Sequence, residues 1–234
     1  KLFDIYETSF LKRDVQGELI KRLLSPGNWG ALASEHWGRS ELASQFYDEI
    51  LFLGATYADL DRGTGPLVLA STTDISTGAR LAFLQGPFDY LCSDLNAMPL
   101  SRAAAASSAV PFALSPVTIN NYGGSCKFAA PTWTERFGDP ENVPRPAARI
   151  LKTRQDLQAF QDRVHRPYIH LVDGGLADNL GMRAVLETLE GIEALNVLGQ
   201  ATPFDHVRRI IVFVVNSRSS PKTNWDEVER APGN

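Results

Sequence analysis

Tyr168-Ile169-His170-Leu171-Val172-Asp173-Gly174-Gly175-Leu176-Ala177-Asp178-Asn179 is an apolar run that stops at an aspartate, two glycines and a polar turn. Its β-branched and aromatic content predicts a strand from Tyr168 to Val172 that delivers Asp173 at its C-terminal end. Gly174 and Gly175 then let the backbone turn at positive φ or approach a ligand closely. Helical spacing resumes from about Leu180 to Leu195, with Asn179 placed to cap it. Arg209 to Val215 is a second β-branched run, apolar on both faces as a central strand covered by helices would be. Strand, crossover helix and strand make a parallel βαβ unit. The stretch therefore predicts an α/β fold with a mostly parallel sheet and sets Asp173 at the edge where such sheets gather their sites. Taken alone, Asp-Gly-Gly is equally a plain strand-to-helix turn.

Upstream, apolar residues recur at helical spacing from Leu2 to Leu24, ended by Ser25-Pro26-Gly27, and a second helix is expected from Ser40 to Leu53. Ser40 is placed as its N-cap and Gly54 just beyond its end. Leu67 to Ser71 and Arg80 to Leu84, joined through Ser76-Thr77-Gly78, read as a hairpin, and Val117 to Asn120 as a shorter strand. Residues 123–149 hold four prolines and no sustained periodicity, which suggests a surface excursion or a lid over a cleft. Thr153-Arg154-Gln155-Asp156 resembles a capping box opening a helix through Val164, and the tail after Ser217 is polar and irregular.

With 234 residues, 44% apolar and 21% charged, the chain is read as one domain, 1–234, with enough apolar surface for a sizeable core. A net charge of -4 argues against nucleic acid as a partner, since phosphate binding calls for a basic face. The longest fully apolar run, Ile210 to Val215, is far short of the roughly 20 residues of a membrane-spanning helix. The spacing of Cys92 and Cys126 matches no metal motif, and two buried thiols or a disulfide are both open. No metal or cofactor is expected.

A second stretch joins the first. Ser101-Arg102-Ala103-Ala104-Ala105-Ala106-Ser107-Ser108-Ala109-Val110-Pro111 is a helix of small residues able to pack closely on a neighbour. Together, the Ala-Ser-Ser-Ala-Val-Pro run and the later strand ending in Asp-Gly-Gly followed by Asn resemble the patatin-like phospholipase family. Lys12 to Leu24 with Leu91-Cys92-Ser93-Asp94-Leu95 is more narrowly similar to a bacterial branch whose members are often exported or lipid-anchored. That resemblance implies a three-layer α/β/α fold, hydrolysis of lipid acyl esters by a Ser/Asp dyad, and Asp173 as the general base, with Gly174 and Gly175 as its supporting turn. It also implies a lipid or acyl-ester substrate, association with a membrane surface, a place in the cell envelope or periplasm, and a bond between Cys92 and Cys126.

The family carries its nucleophile in Gly-X-Ser-X-Gly at a strand-to-helix elbow, preceded by a glycine-rich oxyanion loop. Neither occurs from Lys1 to Asn234. Asp74-Ile75-Ser76-Thr77-Gly78 and Gly123-Gly124-Ser125-Cys126-Lys127 each lack a required glycine and are read as turns. The expectation is a fold incomplete at its N-terminus, whose serine lies upstream of Lys1 or on a second chain, so that this chain alone is inactive. His170, three positions from Asp173, points to the opposite strand face, which disfavours a Ser/His/Asp triad. His165 also flanks the strand that carries Asp173, and His36 and His206 are expected to be ordinary surface or packing residues. The rival function is a non-catalytic lipid-binding or interaction module that keeps the fold. A nucleotide-binding role is weaker still, because no strand is followed by Gly-X-Gly-X-X-Gly.

Overall fold

The computed structural model describes residues 2–34, 37–60, 65–130, 148–197, 199, 201–202 and 204–216. Four strands, β1 (Ser71–Asp74), β2 (Arg80–Ala82), β3 (Val117–Asn120) and β4 (Tyr168–Asp173), form one sheet in the order β2-β1-β4-β3. The register sets Thr72 opposite Asp173 and Val117 opposite Leu171. Ile169 and Leu171 alternate inward on β4 and join Leu81, Phe83, Phe88, Val117 and Phe160 in the core. Burial there pushes the Tyr57 hydroxyl up to about 12.

Helices supply the other layers: α1 (Leu2–Tyr6), α2 (Val15–Leu24), α3 (Pro26–Leu32), α4 (Arg39–Tyr47), α5 (Tyr57–Leu60), α6 (Gln85–Tyr90), α7 (Leu100–Ser107), α8 (Ala148–Ala159), α9 (Gly175–Asp178) and α10 (Met182–Val197). The small-residue helix α7 lies between α4 and strands β1 and β4. Ala103, Ala105 and Ala106 are buried on it, and Ala43 and Phe46 on α4. Without side-chain bulk the backbones come close enough for Ser44 and Ser101 to meet at 3.4 Å.

The mixed α/β class stands, but the described sheet is antiparallel in all three pairings and not mostly parallel. The expected parallel partner, Arg209 to Val215, forms no strand and is outside the sheet. Phe213 and Val215 are 88% and 95% exposed, so the apolarity that suggested burial on both faces is uncovered among the described residues. The first strand is Ser71–Asp74, displaced from the expected Leu67–Ser71. Polar residues win the ladder because their side chains bond within it: Thr72 Oγ1 donates to the Leu81 carbonyl at 3.0 Å and Thr73 Oγ1 to the Asp173 carbonyl at 2.9 Å.

Element ends shift for local reasons. Pro26 does not simply end a helix; it opens α3 at a first-turn position, where its missing N–H costs nothing. The N-cap of α4 is Gly38, whose N–H donates to Glu41 Oε2 at 3.0 Å, while the buried Ser40 hydroxyl donates to the Ser115 carbonyl. Gly54, at φ +82°, follows that helical stretch as expected. Thr153 lies inside α8, so its capping box is not formed, and α8 ends at Ala159, short of Val164. Both imitation motifs are turns: Gly78 (φ +69°) closes the β1–β2 hairpin, and Gly124 (φ +73°) turns the chain before Ser125 donates to the Tyr122 carbonyl at 3.0 Å. Most of the expected excursion, 131–147, lies outside the described residues, as do His36 and the tail after 216.

Cys92 and Cys126 are joined, with Cα atoms 5.6 Å apart and a sequence separation of 34 residues. The bond ties the end of α6 to the turn after β3. Replacing both cysteines by serine should lower unfolding stability by about 3 to 4 kcal/mol, the loop-closure entropy of a cross-link of this span. Urea titrations of the two proteins measure it. An unchanged midpoint would mean that the cross-link contributes nothing.

Candidate active site

β4 ends at Asp173, and the end of α7 abuts that point. The Asp173 N–H donates to the Ala109 carbonyl at 3.0 Å, and the Gly174 N–H to the Ser107 carbonyl at 3.4 Å. The two stretches singled out in the sequence, Ala-Ser-Ser-Ala-Val-Pro and Asp-Gly-Gly, are therefore hydrogen-bonded to each other. Ser107 Oγ donates to the Ser71 carbonyl at 2.8 Å, binding α7 to β1 as well.

The glycines do not work by positive φ. Gly174 is right-handed, at φ -63° and ψ -24°, and neither it nor Gly175 is among the left-handed glycines. Close approach is the reason for both. A Cβ on Gly174 would stand 2.3 Å from the Ser71 carbonyl oxygen and 2.8 Å from its carbon, and one on Gly175 would stand 2.9 Å from Asp173 Oδ1. The absent side chains let β4 turn tightly over β1 and let the Gly175 N–H donate to Asp173 Oδ1 at 2.6 Å. That bond fixes the carboxylate. Its second oxygen, Oδ2, has no hydrogen-bond partner among the described residues.

Asp173, Gly174 and Gly175 line a cleft of about 690 Å³ together with Ser71, Ser107, Asp178 and Asn179. Its remaining walls are mostly apolar: Leu69, Ala184, Val185, Leu189, Ile192, Phe204, Val207 and Ile210. The helix beyond the cleft is capped by Asp178 and not by the expected Asn179. Asp178 accepts from Arg183 N at 3.1 Å and from Ala184 N at 2.9 Å. A carboxylate at this position satisfies two orphan N–H groups and complements the helix dipole.

The histidines are elsewhere. His170 is on the opposite face of β4 from Asp173, with Nδ1 2.9 Å from Thr118 Oγ1. His165 is paired with Asp162 at 2.9 Å, and hydrogen bonds from its backbone and ring hold the Asp162 carboxyl below its usual range. Among the described residues no group of three or more His, Cys, Asp or Glu is placed to hold a metal ion. No described helix is long and apolar enough to cross a membrane.

Asp173, Gly174 and Gly175, singled out in the sequence, line the cleft with Ser107 of the small-residue run, whereas the α10 wall and the bond to the Ser71 carbonyl were not foreseen. The α10 wall was available as helical spacing, since Ala184, Val185, Thr188, Leu189 and Ile192 recur on one face. Ser71 carried no local signal, because its carbonyl matters and its side chain does not identify it.

β4 thus ends in a carboxylate that lines a mostly apolar cleft of a mixed α/β fold. The model of the patatin-like phospholipase family matches residues 1–186, and the chain belongs to that family. Members of this family are in general lipid acyl hydrolases. Among curated proteins and among solved structures, none matches the chain.

Gly174→Ala tests the close approach. The added methyl meets backbone atoms of β1, which cannot rotate away, so the variant should lose about 1 to 3 kcal/mol of stability. Chemical denaturation measures the loss. A variant as stable as the parent would show that β1 and the turn after β4 have room to separate.

Proposed function

We propose that the chain serves a lipid acyl hydrolase in which Asp173 is the general base of a Ser/Asp dyad, with the nucleophilic serine outside residues 1–234. The observation that carries this reading is the setting of Asp173: one oxygen is held by the Gly175 N–H at 2.6 Å, and the residue lines an apolar cleft. In the proposed mechanism Asp173 takes the serine proton as the oxygen attacks the ester carbonyl. The alcohol leaves with a proton, and water then releases the acid from the acyl-enzyme by the same base. The low dielectric of apolar walls strengthens the interaction between carboxylate and serine.

Two serines share the cleft, and neither suits the nucleophile. Ser107 Oγ is already committed as a donor to the Ser71 carbonyl, and Ser71 is in the β1 ladder, opposite Ala82. A nucleophile needs a strained elbow that exposes its oxygen. The serine is therefore assigned to a segment or chain that docks at the mouth of this cleft. Substrate is a lipid or other acyl ester met at a membrane surface, in the cell envelope or periplasm. The Cys92–Cys126 bond supports an oxidising compartment.

In the complete protein, Asp173→Asn should keep the fold and cut ester hydrolysis on the order of 10² to 10⁴-fold, the usual contribution of a general base. Carboxylate and amide have nearly the same shape, so packing is held constant. Turnover of a short-chain ester by well-folded variant and parent is the measurement; equal rates would remove Asp173 from the chemistry.

A further inference from the structure

The loop that follows α7 holds an aromatic ring out in solvent. Val110-Pro111-Phe112-Ala113-Leu114 is wholly apolar, and Phe112 is 95% exposed. Its backbone is left-handed, at φ +72°, a conformation that is costly for a bulky residue and persists only where the surroundings impose it. Two bonds impose it here. Arg39 Nη1 donates to the Phe112 carbonyl at 2.8 Å, and the Leu114 N–H to the Val110 carbonyl at 2.9 Å. The ring is therefore a held projection.

Beside it lies a mostly apolar groove of about 510 Å³, bordered by α2, α4 and the loop itself. Leu19, Ile20 and Leu23 of α2, Leu42 of α4, and Ala113 and Leu114 of the loop line it. Arg39 lines it too, and is the residue that holds the Phe112 carbonyl. A projecting ring and a groove are thus neighbours on one surface. Charges along α2 and its approach are matched within the chain: Lys12 with Glu7 at 3.0 Å, Lys21 with Glu18 at 3.4 Å and Arg22 with Glu49 at 2.5 Å. That balance suits a surface that meets its own copy, because a one-signed patch would repel itself.

We propose that this surface pairs two copies of the chain about a two-fold axis, with Phe112 of each copy entering the groove of the other. A two-fold interface sets one patch against itself, so it requires the knob and its hole on the same surface, as found here. Any other partner would have to supply both a hollow for Phe112 and an apolar group for the groove. A second copy supplies both. A buried Phe covers about 150 to 250 Å². Two rings, the groove walls they cover, and the half-exposed Val110 and Ile20 come to on the order of 1,000 Å², enough for a specific interface. Pairing also bears on the site without assuming its reaction. The carbonyl of Ala109, one residue before the loop, accepts from the Asp173 N–H at 3.0 Å, so the contact braces the segment that holds the Asp173 backbone.

Light scattering behind a sizing column, run on the gene-encoded protein at micromolar concentrations, measures the pairing. The mass should be twice that of one chain. Phe112→Gly should separate the copies: symmetry removes two rings at once, and the dissociation constant should rise on the order of 10² to 10⁴-fold. Glycine accepts positive φ without cost, so the variant keeps its backbone, and an unchanged far-ultraviolet circular dichroism spectrum checks it. Ile20→Trp, which fills the groove from its own side, should separate them as well. Phe112→Cys and Ile20→Cys proteins, treated with a short bismaleimide, should be joined when mixed and not when treated singly. A monomeric parent, pairing that survives Phe112→Gly or Ile20→Trp, or no joining on mixing overturns the proposal. None of these readouts depends on Asp173 or on a nucleophile, so the hydrolysis reading stands or falls separately.

Discussion

The site depends on how closely the turn after β4 approaches β1. Thr72 pairs with Asp173 across the ladder, and Gly174 lies so near Ser71 that even a methyl group would collide with its carbonyl. Three further bonds converge there: Thr73 Oγ1 to the Asp173 carbonyl, the Ala177 N–H to Thr73 Oγ1, and Ser107 Oγ to the Ser71 carbonyl. Strand, turn, α9 and α7 are thereby fixed relative to one another, and Asp173 inherits a single position. The proposed role as general base requires that, since proton transfer is governed by distance before acidity.

β1 is held in turn by a buried ion pair. Asp74 is fully buried, accepting from Ser76 N and Thr77 Oγ1 and pairing with Arg166, whose guanidinium also lies 5.8 Å over the Phe160 ring. A carboxylate in that position is costly unless every partner is in place. The arrangement therefore favours one register of β1, and with it one placement of Ser71 beneath Gly174.

The turn after β4 was more legible in the sequence than the sheet. Asp173 with its glycines, and the small-residue helix that meets them, could be read because each depends on residue size and local order. β1 could not, because a strand of Ser, Thr, Thr and Asp is stable only through partners distant in sequence, while the more apolar Leu67 to Ala70 beside it advertised a strand that does not form. The parallel crossover to Arg209–Val215 misled for a related reason: apolarity on both faces reports what a segment requires, and this one stays largely exposed among the described residues. The glycines were expected to serve positive φ or close approach to a ligand, and serve instead close approach to β1 and to the Asp173 carboxylate, which only the neighbouring strand reveals.

The central claim is that Asp173 acts on a serine outside residues 1–234, beside a mostly apolar cleft. Labelling the gene-encoded protein with a long-chain serine-directed phosphonate, then mapping the modified peptide by mass spectrometry, tests it most directly. The account predicts a labelled serine beyond these residues, with labelling lost in Asp173→Asn, and none on residues 1–234 alone. A phosphonate on Ser71, Ser107 or any other serine of this chain would contradict it.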